Sequence, residues 1–119
     1  MPTKFEVRFT RKAEHDIEEI WTFIAQDSAD EATRFIIQLD KHIDTLERFP
    51  ARCPLIPENE LLRSSYRHLI HGKYRIIIRA SGKTVWVVRI VHGARLLEAA
   101  MLESAANEYP EPPKQESKT

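Results

Sequence analysis

This chain of 119 residues has one cysteine, three glycines and no long apolar run. A single thiol, Cys53, can build neither an internal disulfide nor a cysteine metal cage, which suits a reducing cytosol. It reads as a loop filler rather than a nucleophile. No apolar stretch approaches the roughly 20 residues needed to cross a bilayer, so no membrane partner is expected. The N-terminus alternates charged and apolar residues from Lys4 onward, unlike a secretory leader. No glycine-rich phosphate loop, zinc-type Cys/His spacing or internal repeat is present, and neither a metal nor a cofactor is expected. The most informative absence is of acidic residues. From Arg63 to Leu97 there are none, against 8 Lys/Arg and three of the five histidines.

The flanks have the opposite sign. Residues 1–62 hold 8 Lys/Arg and 13 Asp/Glu, and residues 98–119 hold 2 and 5, so a net charge of zero conceals a basic middle. Such a block either attracts an anionic partner or is neutralised internally by acidic helices that fold back on it. The count alone does not choose.

The pattern of apolar residues predicts the elements. Phe5, Val7 and Phe9 alternate with charges, the period of a half-buried strand. Thr10 offers an N-cap, and Ala13, Ile17, Ile20, Trp21 and Ile24 follow at helical spacing. Ser28-Ala29-Asp30-Glu31 has the form of a capping box, opening a second helix whose stripe runs through Ala32, Phe35, Ile36, Leu39, Ile43 and Leu46. So short a junction makes the two helices antiparallel neighbours. Pro50, Pro54 and Pro57 break regular structure over residues 50–62. Strands are expected over 66–70, 73–80 and 84–92 and a helix over 94–106. One domain over 1–106 and a polar tail over 107–119 complete the reading. The fold class is α+β: an N-terminal strand and a helical hairpin on a small, mainly antiparallel sheet of about four strands.

The loop joining the last two strands decides which side chains share a face. A three-residue loop, Ala80-Ser81-Gly82, puts Tyr74, Ile76, Ile78, Trp86, Val88 and Ile90 under the helices. Arg75, Ile77, Arg79, Val85, Val87, Arg89 and Val91 then interleave cation and aliphatic bulk on an open outer face. A two-residue loop inverts the pairing and mixes both faces. The first arrangement is preferred, and its outer face calls for a peptide or helix carrying acidic and apolar residues.

The order of elements resembles the ParE/RelE toxin superfamily of type II toxin–antitoxin systems. The resemblance is carried by Val7-Arg8-Phe9 with Ala13, Asp16, Ile17 and Ile20, by Phe49-Pro50, Pro54 and Leu62-Arg63, and by Arg67–Ile76 and Val85–Arg95. It implies a cognate antitoxin as partner, DNA gyrase as the target of a ParE-like toxin that binds without catalysis, and no direct sequence-specific DNA binding. The RelE-like alternative is a ribosome-dependent endoribonuclease acting on mRNA; a third is a non-toxic member that keeps antitoxin binding. RNA cleavage needs a base, cations around the phosphate and an acid. RelE-like enzymes supply lysines from the first strand of this sheet, where this chain has Tyr66 and His68. Arg75 and Arg95 match family arginines, but the aromatic residue expected soon after Arg95 is missing and Tyr109 lies in the expected tail. The nuclease alternative therefore rests on His68, Arg75, His92 and Arg95. The preferred reading assigns no catalytic residue and takes Arg67, Arg75, Arg79, Arg89 and Arg95 as antitoxin or target contacts.

Overall fold

Strand β1 (Glu6–Phe9) ends where Thr10 takes over two tasks. Its hydroxyl accepts the Ala13 N–H at 3.0 Å, capping helix α1 (Arg11–Ala25), and donates to the Val88 carbonyl at 2.8 Å. The cap is thereby fastened to the sheet. A three-residue junction leads to α2 (Ala29–Asp44), where Ser28 accepts the Glu31 N–H at 3.1 Å. Glu31 does not reach back as a capping box requires; its carboxylate pairs with Arg34 at 2.8 Å instead. In this computed structural model the described residues are 4–95, 97, 98, 101 and 102.

The proline-rich stretch is irregular, as expected, but not featureless. Short 3₁₀ turns at Thr45–Glu47 and Pro50–Arg52 precede a single helical turn, α3 (Asn59–Leu62). The Asn59 amide fixes that turn to the next strand: it donates to the Tyr66 carbonyl at 2.8 Å and accepts the Tyr66 N–H at 3.0 Å.

Three strands follow, β2 (Arg67–His71), β3 (Tyr74–Ser81) and β4 (Thr84–His92), giving the order β1-β4-β3-β2. Only β1 and β4 run parallel; the other neighbours are antiparallel. Both hairpins turn on a two-residue Gly-Lys loop, with Gly72 at φ +58° and Gly82 at φ +62°. That loop corrects the three-residue loop expected from the sequence. Positive φ at the first loop residue needs glycine, and placing Gly82 there makes Ser81 and Thr84 the closing pair.

The two-residue loop does not mix the faces, because a bulge intervenes. Ile78 pairs with Val87 but Ile77 pairs with Arg89, so Val88 is the extra residue. Ile76, Ile78, Val85, Val87 and Ile90 therefore meet the helices, packing with Ala13, Ile20, Leu39, Ile43, Leu46 and Cys53. Trp86 and Val88, expected beneath the helices, lie on the opposite face with Ile77 and Val91.

That outer face is covered, which overturns the expectation of an open one. Ile56, Tyr66, Leu97 and Leu102 are buried against it, joined by Leu62 and Met101. Strands buried on both faces explain the near-continuous runs Ile76-Ile77-Ile78 and Val85-Trp86-Val87-Val88. The helix expected from residue 94 starts later. Ala94 and Arg95 form a turn and Leu97 and Glu98 are non-helical, whereas Met101 and Leu102 are helical. The Gly93, Ala94, Arg95 and Leu97 N–H groups are committed to Lys73 O, His92 Nδ1, His92 O and Glu58 Oε2, which leaves them out of any helix. The remainder of that helix and the tail over 107–119 lie outside the described residues. Among the described residues no helix is long and apolar enough to cross a membrane, and no cluster of three or more His, Cys, Asp or Glu side chains could hold a metal.

Candidate functional site

The arginines expected on the outer face divide into two groups. Arg75 is 6% exposed and forms a fork-to-fork pair with Glu58, at 3.0 Å to Oε1 and 2.6 Å to Oε2. Its Nη2 also reaches the Arg95 carbonyl at 2.9 Å. Hydrogen bonding from Arg75, assisted by the Glu58 and Leu97 backbone N–H groups, pulls the Glu58 carboxyl down to about 2 against the cost of its burial. Arg89 does the same with Asp16 of α1, at 2.8 and 2.9 Å, and Asp16 also accepts the Ile90 N–H at 2.9 Å. The Arg89 Nη1 reaches the Met101 carbonyl at 3.2 Å. These two residues are not waiting for a partner. They are paired with the chain's own carboxylates and clasp the segment that follows β4, which corrects the expectation that they stand open to a ligand.

The other cations are placed differently. Arg67, on β2, donates to the Cys53 carbonyl at 2.6 Å, and the Arg79 guanidinium lies 5.6 Å over the Tyr66 ring. Arg95 is exposed, as are Arg63, Lys73 and Lys83. Arg67 and Arg79 help to line a groove of about 400 Å3 with Phe5, Phe49, Pro50, Leu55, Ile78 and Ala80. This groove lies where the 49–55 segment stands beside the hairpin end of β3.

The four residues of the nuclease alternative do not converge. His68 and Arg75 share the outer face and Arg95 is held near Arg75 through its carbonyl. His92 instead pairs across strands with Tyr74, its ring 5.8 Å from the Tyr74 ring on the helix side of the sheet. Burial, then the neighbouring Arg75 charge, lowers the His68 pKa, so its imidazole is neutral near pH 7. Among the described residues, His68 Nδ1 and Arg75 Nε are buried polar atoms with no hydrogen-bond partner. Cys53 is buried in the helix-side core, where loss of solvation raises its thiol pKa and makes it inert.

Sequence reasoning missed Glu58, Asp16 as an ion-pair partner, and Phe49. Asp16 was detectable as an acidic residue beside the apolar stripe of α1. Glu58 lies in a stretch without periodicity, and no pattern marks the left-handed backbone of Phe49.

The layering of a helical hairpin on a four-stranded sheet with one parallel edge defines a RelE/ParE-like α+β fold. The family model described as ParE toxin of type II toxin-antitoxin system, parDE, matches residues 7–97, and the chain belongs to that family. A solved structure titled as the chromosomal ParDE TA system from P. aeruginosa is similar over 76% of this chain and 97% of that one, at 16% identity and a TM-score of 0.61. The RelBE2 toxin–antitoxin complex from Mycobacterium tuberculosis is similar over 78% and 95%, at 25% identity and a TM-score of 0.49. No curated protein sequence matches significantly.

Proposed function

We propose that this chain is a ParE-like toxin of the cytoplasm that inhibits DNA gyrase by binding it and is neutralised by a cognate antitoxin. The observation that carries the reading is the state of Arg75. The cation that a nuclease would use to hold phosphate is buried in an ion pair with Glu58, and His92 lies on the other side of the sheet from His68. The match to the ParE toxin model supports the same branch. Arg67, Arg79 and Arg95 are the candidate contacts for antitoxin or target, whereas Arg75 and Arg89 hold the fold.

Purified protein tests the reading. It should block gyrase supercoiling and leave ribosome-bound mRNA intact. The ribonuclease alternative has one observation of its own, the neutral imidazole of His68 beside Arg75. His68→Ala should preserve growth arrest under the binding reading and abolish it under the nuclease one; cleavage of mRNA in the ribosomal decoding site would decide for the latter. Expression without growth arrest would mark a member that keeps the fold and the antitoxin alone.

A further inference from the structure

Phe49 is held at φ +54°, ψ +57°, immediately before Pro50. A β-carbon clashes with the backbone in the left-handed region, and a following proline pushes its predecessor toward extended geometry. Burial gives no return for this arrangement, since Phe49 is 69% exposed. The Phe49 carbonyl opens the Pro50–Arg52 turn by accepting the Arg52 N–H at 3.1 Å, a task that needs no aromatic ring, and strain carried at an exposed aromatic points to a role at the surface. Beside the ring lies the groove of about 400 Å3, room for one or two large side chains, walled by Phe5, Pro50, Leu55 and Ile78.

The charge in the groove wall has one sign. Arg67 and Arg79 stand in its wall, and no Asp or Glu lines it. Arg48 and Arg52 flank Phe49 in the adjoining depression, where Lys41, Asp44 and Glu47 also stand, so the unmixed positive charge is confined to the groove itself. Glu47, close by in sequence, is turned to Lys4 at 3.6 Å. The Arg67 guanidinium is held at the wall by the Cys53 carbonyl, so its charge is positioned before any ligand arrives.

We propose that this groove is the docking site for an acidic, apolar segment of the antitoxin, with Phe49 as its aromatic anchor. The inference rests on the binding-toxin reading above and names the surface that reading requires. An exposed aromatic beside an apolar pocket with a charged rim is the form of an interface hot spot. The carbon-rich wall favours a peptide over a nucleic acid, whose phosphates would find only the rim.

The test measures antitoxin affinity by titration calorimetry and stability by thermal melting, on the full chain. Phe49→Gly and Phe49→Asn, both tolerant of the left-handed backbone, should raise the melting midpoint and weaken the antitoxin at least tenfold. That combination is not expected of a residue serving structure alone. Ala51 is exposed in the groove wall. Ala51→Glu should weaken binding about tenfold, Ala51→Lys by less than twofold, and the difference should shrink as salt is raised. Equal losses for the two Ala51 variants, unchanged affinity for Phe49→Gly, or a lowered melting midpoint for Phe49→Gly would each overturn the docking site while leaving the toxin reading intact. So would retention of antitoxin together with loss of binding to a uridine 12-mer, which would mark an RNA platform. A wild-type chain that binds no antitoxin would sink the partner reading and this site with it.

Discussion

Glu58 and Arg75 face one another where water hardly reaches either, and each is the other's only charged partner among the described residues, with the Arg95 carbonyl and the Leu97 N–H as lesser support. Removing one partner of a buried pair leaves a charge stranded, at a cost of about 3–5 kcal/mol. Glu58→Gln should therefore lower stability by that order in denaturant titration, and Glu58→Gln with Arg75→Met should recover most of it. The acid dependence has a definite sign. Glu58 titrates at about 2 in the folded chain against an ordinary 4.5, so its contribution is complete above 4.5 and fades as pH falls toward 2. Wild-type protein should lose stability across that window more steeply than Glu58→Gln. At this scale the sequence showed the cations and concealed their partners. Arg75 and Arg89 stood out because an acid-free block surrounds them. Their carboxylates come from 17 and 73 residues away, a distance over which no local pattern speaks.

Secondary structure was largely legible element by element, because hydrophobic period and capping chemistry are local. Thr10 and Ser28 cap the helices the sequence assigns to them, and the Ile/Val runs became strands. What was not legible was which residue of a loop is counted in it. The turn chemistry of Gly82 fits either loop length, and one residue more or less turns a whole strand over. Counting Ala80 into the loop put Trp86 on the wrong face, and the bulge at Val88, which leaves no composition mark, returned Arg89, Ile90 and Val91 to the faces expected of them.

The α2–β2 contact carries its own prediction. His42 and His71 meet at 2.9 Å between their Nδ1 atoms, with Phe35 packed edge-on to His71. One nitrogen must donate and the other accept, so the two rings cannot both carry a proton on Nδ1. Burial, then the neighbouring His42, lowers the His71 pKa. The unfolded chain takes up that proton more readily, so stability is full above the ordinary histidine value of 6.5 and falls as pH drops below it. In His71→Phe the melting midpoint should change less between pH 7 and pH 5 than in wild type.

For the whole molecule, the outer-face cluster makes this a three-layer arrangement, helices, sheet and a cover that includes Leu97 and Leu102. Met101 and Leu102 lie past the span matched by the family model and complete this part of the cover. Leu102→Asp should open it. In a Trp21→Phe background, with Trp86 as the sole indole, acrylamide quenching should rise clearly while far-ultraviolet circular dichroism stays near wild type. Unaltered quenching would show that Leu102 does not shield that face. The apolar character of the last segment was visible in Leu97, Met101 and Leu102, but nothing in the sequence said whether it would cover the helices, the sheet or neither.

Strand β4 belongs to both clusters at once. Val85, Val87 and Ile90 serve one side, and Trp86, Val88 and Val91 serve the other. Among the described residues it is also the only strand that pairs with β1, and the Thr10–Val88 bond beside that pairing spans 78 residues. A growing polypeptide therefore has no stable intermediate stopping place. Until residues 84–92 have emerged, neither interior can close and the first strand stays unpaired. A product terminated before β4 could close neither interior, so the fold is completed only late in translation.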